Sequence, residues 1–194
     1  MASPADALRQ VLAALDRIEV GYCIGGSVAS SEHGIPRMTM DVDLVVDLKL
    51  EQVDEFTALL QDDFYADAQL IRDSFSRGRA ANLIHHETGY KFDLFPLGQD
   101  AYSQTEFRRR VFREIQALPL GPVECAIASP EDTILSKLDW YRRGKETSER
   151  QWNDLRGVLK VCGGKLDLAY LRRWATQLGV GDLLARLLGE GDAT

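Results

Sequence analysis

Cysteine and histidine are scarce in this chain, and basic charge is in deficit. There are three of each, Cys23, Cys125 and Cys162 and His33, His85 and His86, in 194 residues. Three scattered thiols make neither a disulfide framework nor a zinc site. Each is embedded among apolar residues, which predicts buried structural thiols. The histidines stand at no metal-ligand spacing from an acidic motif and read as loop or strand-edge residues. Lysine and arginine number 23 against 30 acids, a net charge of −7, which disfavours a broad phosphate-binding surface. Two local basic clusters, Arg108–Arg110 with Arg113 and Arg142-Arg143 with Lys145, read first as solvated faces. No apolar run reaches the roughly 20 residues needed to cross a bilayer, so no membrane partner is expected. The N-terminus shows no basic stretch followed by an apolar one and is not read as a signal peptide, which makes cytoplasm the expected compartment. The apolar fraction of 45% and charged fraction of 27% are ordinary globular values. The length suits one compact domain with a small helical annex.

Periodicity divides the chain. Ser3-Pro4 followed by Leu8, Val11, Leu12, Leu15 and Ile18 predicts an amphipathic helix over 4–19. Gly21 to Ile24 is a short apolar run ending in Gly25-Gly26, read as a buried strand and a tight turn. Ser27 to Glu32 opens a helix that Gly34-Ile35-Pro36 breaks. Met40 to Val46 reads as a central strand covered on both faces, and Leu50 to Leu60 as a helix. Strands at Ala81–His85 and Tyr90–Phe95 are joined through Glu87-Thr88-Gly89, and two extended segments follow at Val111–Ala117 and Val123–Ala128. Ser129-Pro130-Glu131-Asp132 then starts a helix, and the pattern stays helical to Leu188, broken at Gly144, Gly163-Gly164 and Gly179. The expected architecture is an α/β (α+β) head over 1–128, a mixed sheet flanked by helices, with a helical C-terminal bundle over 129–194 packed on it.

Three short motifs carry chemistry. In Gly25-Gly26-Ser27, two glycines after a strand let the backbone approach a ligand without a Cβ in the way. The helix start that follows offers free N–H groups suited to a phosphate; alone, the motif is also an ordinary turn. Asp41 and Asp43, at i and i+2 on a strand, project from one face about 6.6 Å apart. Two such carboxylates in apolar surroundings repel, and hard oxygen ligands of this kind match magnesium. The competing reading is a solvated strand end. Asp93 lies between bulky apolar neighbours in a later strand, either as a third carboxylate of a metal site and a proton acceptor or as the ion-pair partner of Lys91.

Taken together, Gly-Gly-Ser after a strand, Asp41-x-Asp43 on the next strand and Asp93 in a later one resemble the pattern of the DNA-polymerase-β-like nucleotidyltransferases. Within that superfamily the chain is most similar to the AbiEii-type toxins and minimal bacterial nucleotidyltransferases. That narrower likeness rests on Arg37-x-Thr39-x-Asp41, on Ser129–Asp132 leading to Lys137, and on Arg150 to Asp154. The resemblance implies nucleotide binding by Gly25, Gly26, Ser27, Arg37, Lys137 and Asp154. It implies that Asp41, Asp43 and Asp93 hold Mg2+ (or Mn2+), and that these three with Lys137 are catalytic. The implied reaction moves a nucleoside monophosphate from a nucleoside triphosphate to an acceptor hydroxyl on RNA (a tRNA end), a protein or a small molecule such as an antibiotic. Toxin function with a cognate antitoxin protein as partner is part of that expectation. A non-catalytic nucleotide-binding or protein-interaction module on the same scaffold is the reading from another class. Lys137 is expected near the cleft yet replaceable at little cost to stability, as a solvated helix lysine would be. Asp154 is expected to face the cleft or to bridge to Lys137 or Arg150, and Arg142, Arg143 and Lys145 are the basic residues nearest by position for an RNA acceptor.

Overall fold

The computed structural model describes residues 2–117 and 119–191. The first helix, α1 (Pro4–Arg17), starts where expected: Ser3 and Asp6 form a reciprocal capping box with Pro4 in the first turn, and Leu8, Val11, Leu12 and Leu15 are buried. The strands β1 (Tyr22–Ile24), β2 (Asp41–Val46), β3 (Phe64–Tyr65), β4 (Ala81–His85), β5 (Lys91–Pro96), β6 (Val111–Ile115) and β7 (Val123–Ile127) form one mixed sheet in the order β3-β4-β5-β2-β1-β7-β6. β2 runs parallel to β5 and β1 parallel to β7; the other pairs are antiparallel. The helices between them are α2 (Gly26–His33), α3 (Val53–Leu60), α4 (Ala68–Phe75) and α5 (Ala101–Arg109).

Two corrections to the sequence reading follow. β3, α4 and α5 occupy stretches that periodicity left unassigned, and the last two are short helices capped by Asp67 and Asp100. The central strand β2 is covered on one face only. Val42, Leu44 and Val46 share an apolar core with α1 and α3, while Asp41, Asp43 and Val45 on the other face stay half-open. Hydrophobicity reads Val45 as core; its partial exposure arises because that face borders a cleft.

The remaining helices, α6 (Pro130–Arg143), α7 (Glu149–Cys162), α8 (Leu168–Gln177) and α9 (Gly181–Gly191), enclose a second apolar core that Tyr102 of α5 joins from the sheet side. α2 wedges this bundle against the sheet, packing on α6, α7 and β2. Its end approaches α7 so closely that a Cβ on Gly34 would lie 2.7 Å from the Val158 backbone nitrogen; only glycine permits that approach. Cys23 and Cys125 are buried and Cys162 half-buried, all as free thiols. His33 is not a loop residue but ends α2, buried, with a ring nitrogen 2.8 Å from the Ala128 carbonyl. No helix among the described residues is long and apolar enough to cross a membrane.

A polar lock ties α5 to the bundle. Asp132 is fully buried. It accepts from the Ser129 hydroxyl at 2.6 Å, the Tyr170 hydroxyl at 2.5 Å and the Arg109 guanidinium at 3.2 Å, which in turn lies over the Tyr170 ring. Arg109 is therefore an internal tie rather than part of a solvated basic face. A buried carboxylate that loses a donor keeps its desolvation cost. Tyr170→Phe is expected to lower the unfolding free energy by about 1–3 kcal/mol, measured by urea denaturation, and an unchanged midpoint would show that the lock is dispensable.

Candidate active site

The turn after β1 is pinned to β2 by a hydrogen bond from the Gly25 N–H to the Asp43 carbonyl, 2.9 Å. Gly26 begins α2 with φ +55, and a Cβ built there would stand 1.7 Å from the Asp43 carboxylate. Glycine is needed twice over, for the left-handed backbone and for the approach of the carboxylate. The Ser27 backbone N–H donates to Asp43, so this carboxylate already occupies the mouth of an anion-attracting helix start.

Strand register supplies the other two acids. Asp43 is the direct partner of Asp93 across the parallel β2–β5 pair, and Asp41 pairs with Lys91. Adjacent strands lie about 4.8 Å apart, so the two motifs, fifty residues apart in the chain, become neighbours on one face. Burial first, and then the charges of Asp41 and Asp93, push the Asp43 carboxyl up to about 6, against the opposing pull of Lys137 and the Ser27 backbone. The other two acids have partners: Thr39 donates to Asp41 at 2.9 Å, and Lys91 pairs with Asp93 at 2.8 Å. The ion pair weighed as an alternative role for Asp93 thus exists alongside its place in the acidic cluster. Among the described residues no group of three or more His, Cys, Asp or Glu is already arranged to hold a metal ion.

A cationic cluster faces the same turn. Asp154 of α7 receives two parallel hydrogen bonds from Arg37, each 2.8 Å, and a third of 2.8 Å from Lys137 of α6. Arg37 also donates to the Ser27 hydroxyl at 2.6 Å. Burial alone would push the Asp154 carboxyl up, but the hydrogen bonds from Arg37 and Lys137 outweigh it and hold it ionised. Burial pulls the Lys137 ammonium below the ordinary lysine range, and Arg37 adds to that pull; Asp154 and Asp43 relieve it only in part. Two cations thus share one carboxylate beside Ser27, and the cluster has room electrostatically for a further anion.

All nine residues singled out from the sequence, Gly25, Gly26, Ser27, Arg37, Asp41, Asp43, Asp93, Lys137 and Asp154, therefore cluster around one turn and the strand ends beside it. Arg150 stays outside: it is exposed, and Asp154 pairs with Arg37 and Lys137 instead. Lys137 is buried, 7% exposed, so the alternative of a solvated helix lysine does not hold, and its replacement is not a surface substitution. Sequence reasoning gave no role to Thr39, which holds Asp41, or to Tyr90, whose hydroxyl donates to the Thr39 carbonyl. It left Glu106 of α5 unnoticed, although the Asp100-x-x-Ser103 cap marks that helix.

No family model matches the chain, and no curated protein does. Among solved structures, the fold is similar to that of the nucleotidyltransferases. The similarity to ANT(2'')-Ia in complex with adenylyl-2''-tobramycin has a TM-score of 0.55 at 16% identity, covering 90% of this chain and 95% of that one. An antigenic nucleotidyltransferase-like protein from Paracoccidioides brasiliensis gives 0.52 at 20%, covering 93% and 90%. The lincosamide antibiotic adenylyltransferase LnuA, lincomycin-bound, gives 0.51 at 14%, covering 79% and 95%. The chain thus has a nucleotidyltransferase-like fold, as its motifs implied.

Two substitutions test the geometry. Gly26→Ala is expected to cost about 2 kcal/mol or more, because it combines a left-handed alanine with displacement of Asp43. Gly25→Ala, whose Cβ meets nothing within 4 Å, is expected to cost less than about 1 kcal/mol; equal losses in thermal unfolding would refute the close approach. Lys137→Ala removes one of two cations from a buried carboxylate. Breaking a buried pair outright costs about 3–5 kcal/mol. Because Arg37 remains bidentate on Asp154, the expected loss is about 2 kcal/mol, and no loss in urea denaturation would place Lys137 back on a solvated surface.

Proposed function

We propose that this chain is a nucleotidyltransferase enzyme that moves a nucleoside monophosphate from a nucleoside triphosphate to an acceptor hydroxyl. The observation carrying this reading is the opposition of two clusters around one turn. Asp41, Asp43 and Asp93 crowd on one side of Gly25–Ser27, and Arg37 and Lys137 converge on the other. The Gly26 backbone N–H and the Ser27 hydroxyl suit the β- and γ-phosphates, while the Ser27 backbone N–H holds Asp43. Arg37 and Lys137, short of negative charge, suit the charge that collects on departing pyrophosphate.

The acidic cluster fits a divalent cation chemically, since its donors are hard carboxylate oxygens on neighbouring strands and Asp43 is raised by burial and then by its acidic neighbours. Asp41, Asp43 and Asp93 would hold magnesium or manganese, which would neutralise phosphate charge and polarise the phosphorus under attack. In the transfer, the acceptor oxygen bonds to the α-phosphorus and the bond to the bridging oxygen of pyrophosphate breaks. Asp93, once released from Lys91, would accept the proton of the acceptor hydroxyl. Arg37 and Lys137 hold the leaving group, and Asp154 positions both cations.

A small-molecule acceptor fits better than an RNA end. The net charge is −7, and two of the three basic residues that the sequence offered for an RNA acceptor are ion-paired. Arg142 pairs with Asp182 and Glu146, and Arg143 with Asp139. A toxin acting on tRNA, held by a cognate antitoxin, would need a basic surface in their place. In ANT(2'')-Ia and LnuA the bound molecules are tobramycin-derived and lincomycin, which is the class of acceptor we favour.

The test is pyrophosphate release from each nucleoside triphosphate with magnesium and a panel of hydroxyl-bearing small molecules. Asp43→Asn and Asp93→Asn are expected to lower the rate by at least about a hundredfold while circular dichroism stays unchanged. Wild-type rates in either variant would overturn the assignment.

A further inference from the structure

Transfer leaves one half-buried acid without a task. Glu106 of α5 lines a cavity of about 80 Å3 together with Cys23, Val45, Pro96, Ser103 and Phe107. A cavity holding one water needs about 10–15 Å3 by the same measure, so this one takes several waters or the end of a small ligand. Its position matters more than its size. Val45 follows Asp43 by two residues on β2 and projects from the same face, about 6.6 Å further along. Cys23 is the cross-strand partner of Val45. The cavity therefore continues the acidic face of the sheet, one residue pair beyond the carboxylates and away from the Gly25–Ser27 turn.

The electrostatics of Glu106 are one-sided. The Ser136 hydroxyl donates to one carboxylate oxygen at 2.7 Å, and no ion pair to Glu106 is present among the described residues. Burial pushes its carboxyl up to about 7; the Ser136 hydrogen bond opposes this, and Asp132, Asp100 and Asp139 raise it further. The cations that share its helix or lie near it form no ion pair with it: Arg109 bridges to Glu131 and Asp132, Arg110 lies over the Phe107 ring and donates to the Phe107 carbonyl, and Lys137 pairs with Asp154. For the fold alone, glutamine or leucine would serve at this position with no buried charge to accommodate. An enclosed acid among acids, facing a cavity, is matched by a ligand that brings the missing positive charge.

We infer that this cavity is the acceptor subsite and that it takes an amine-bearing small molecule, whose ammonium group pairs with Glu106 while a neighbouring hydroxyl is presented to the aspartate cluster. The inference rests on the nucleotidyl-transfer reading for the word acceptor, but the amine site itself is testable without it. Glu106 is then a specificity-determining residue, reading charge one residue pair from where the chemistry occurs. Neutral polyols of the same length lose that pairing.

The experiment titrates the full chain by calorimetry with putrescine and with its neutral analogue butanediol, at slightly alkaline pH and physiological salt. Wild type and Glu114→Gln, an exposed acid on β6, should bind putrescine alike. Glu106→Gln should bind it about tenfold more weakly, the value of one charged hydrogen bond, and butanediol should bind none of them. Absence of putrescine binding to wild type, or equal affinity in wild type and Glu106→Gln, overturns the inference. Should Glu106→Gln fail to fold, Val45→Met carries the test by narrowing the cavity, and undiminished affinity there is equally fatal. Magnesium and adenosine triphosphate are titrated in parallel. Nucleotide binding without Glu106-dependent amine binding refutes the amine subsite alone, and the reverse result refutes the nucleotide reading alone.

Discussion

Asp154 sits between two cations, and the arrangement of the whole site follows from that. Its carboxylate, 9% exposed, receives Arg37 from the loop after α2 and Lys137 from α6, and Arg37 passes the contact on to Ser27. Three elements distant in sequence are thereby fixed to one turn. Without Asp154, two cations would face each other in a partly buried space, where repulsion is several times stronger than in water. The helical bundle is thus part of the site, because it contributes both Lys137 and the carboxylate that holds it in place.

On the other side of the turn the balance is reversed. Asp41, Asp43 and Asp93 share one sheet face, and among the described residues Lys91 is the only cation that forms an ion pair with any of them. The cluster is negative, and the Arg37–Lys137 pair is under-neutralised. A triphosphate accompanied by divalent cations brings both kinds of missing charge. The site is preorganised in the sense that its dipoles and charges are set before a ligand arrives, which is where most electrostatic catalysis originates. Further along the same face, Glu106 adds another acid beside Val45.

Much of this was legible in the chain of residues. The Ser3 and Ser129 caps, the apolar period of α1 and the change to helical pattern after 128 predicted those elements correctly. What periodicity missed were short helices with mixed faces, α4 and α5, where a single turn or two of apolar spacing is too brief to register. It also took β2 as covered on both faces, because Val42, Leu44, Val45 and Val46 are apolar on either side, whereas Val42, Leu44 and Val46 are fully buried and Val45 packs on the core with part of its surface open. The sequence put Lys137 near the cleft and offered Asp154 as a partner, but the burial of both side chains depends on how α6 and α7 dock.

The residue types and their local geometry were determined by sequence alone. A glycine pair after a strand, two acids at i and i+2, and a capped helix carrying a lysine are short-range facts, settled by backbone sterics and side-chain alternation. Only the tertiary structure decided that Asp93 stands level with Asp43 and that Asp154 serves Arg37 and Lys137 instead of Arg150. It also decided that Glu106 lines a cavity beside Val45. These depend on strand register, helix docking and the close approach at Gly34. Each is set by the burial of apolar surface from the whole chain, and none leaves a signature in the few residues around the site.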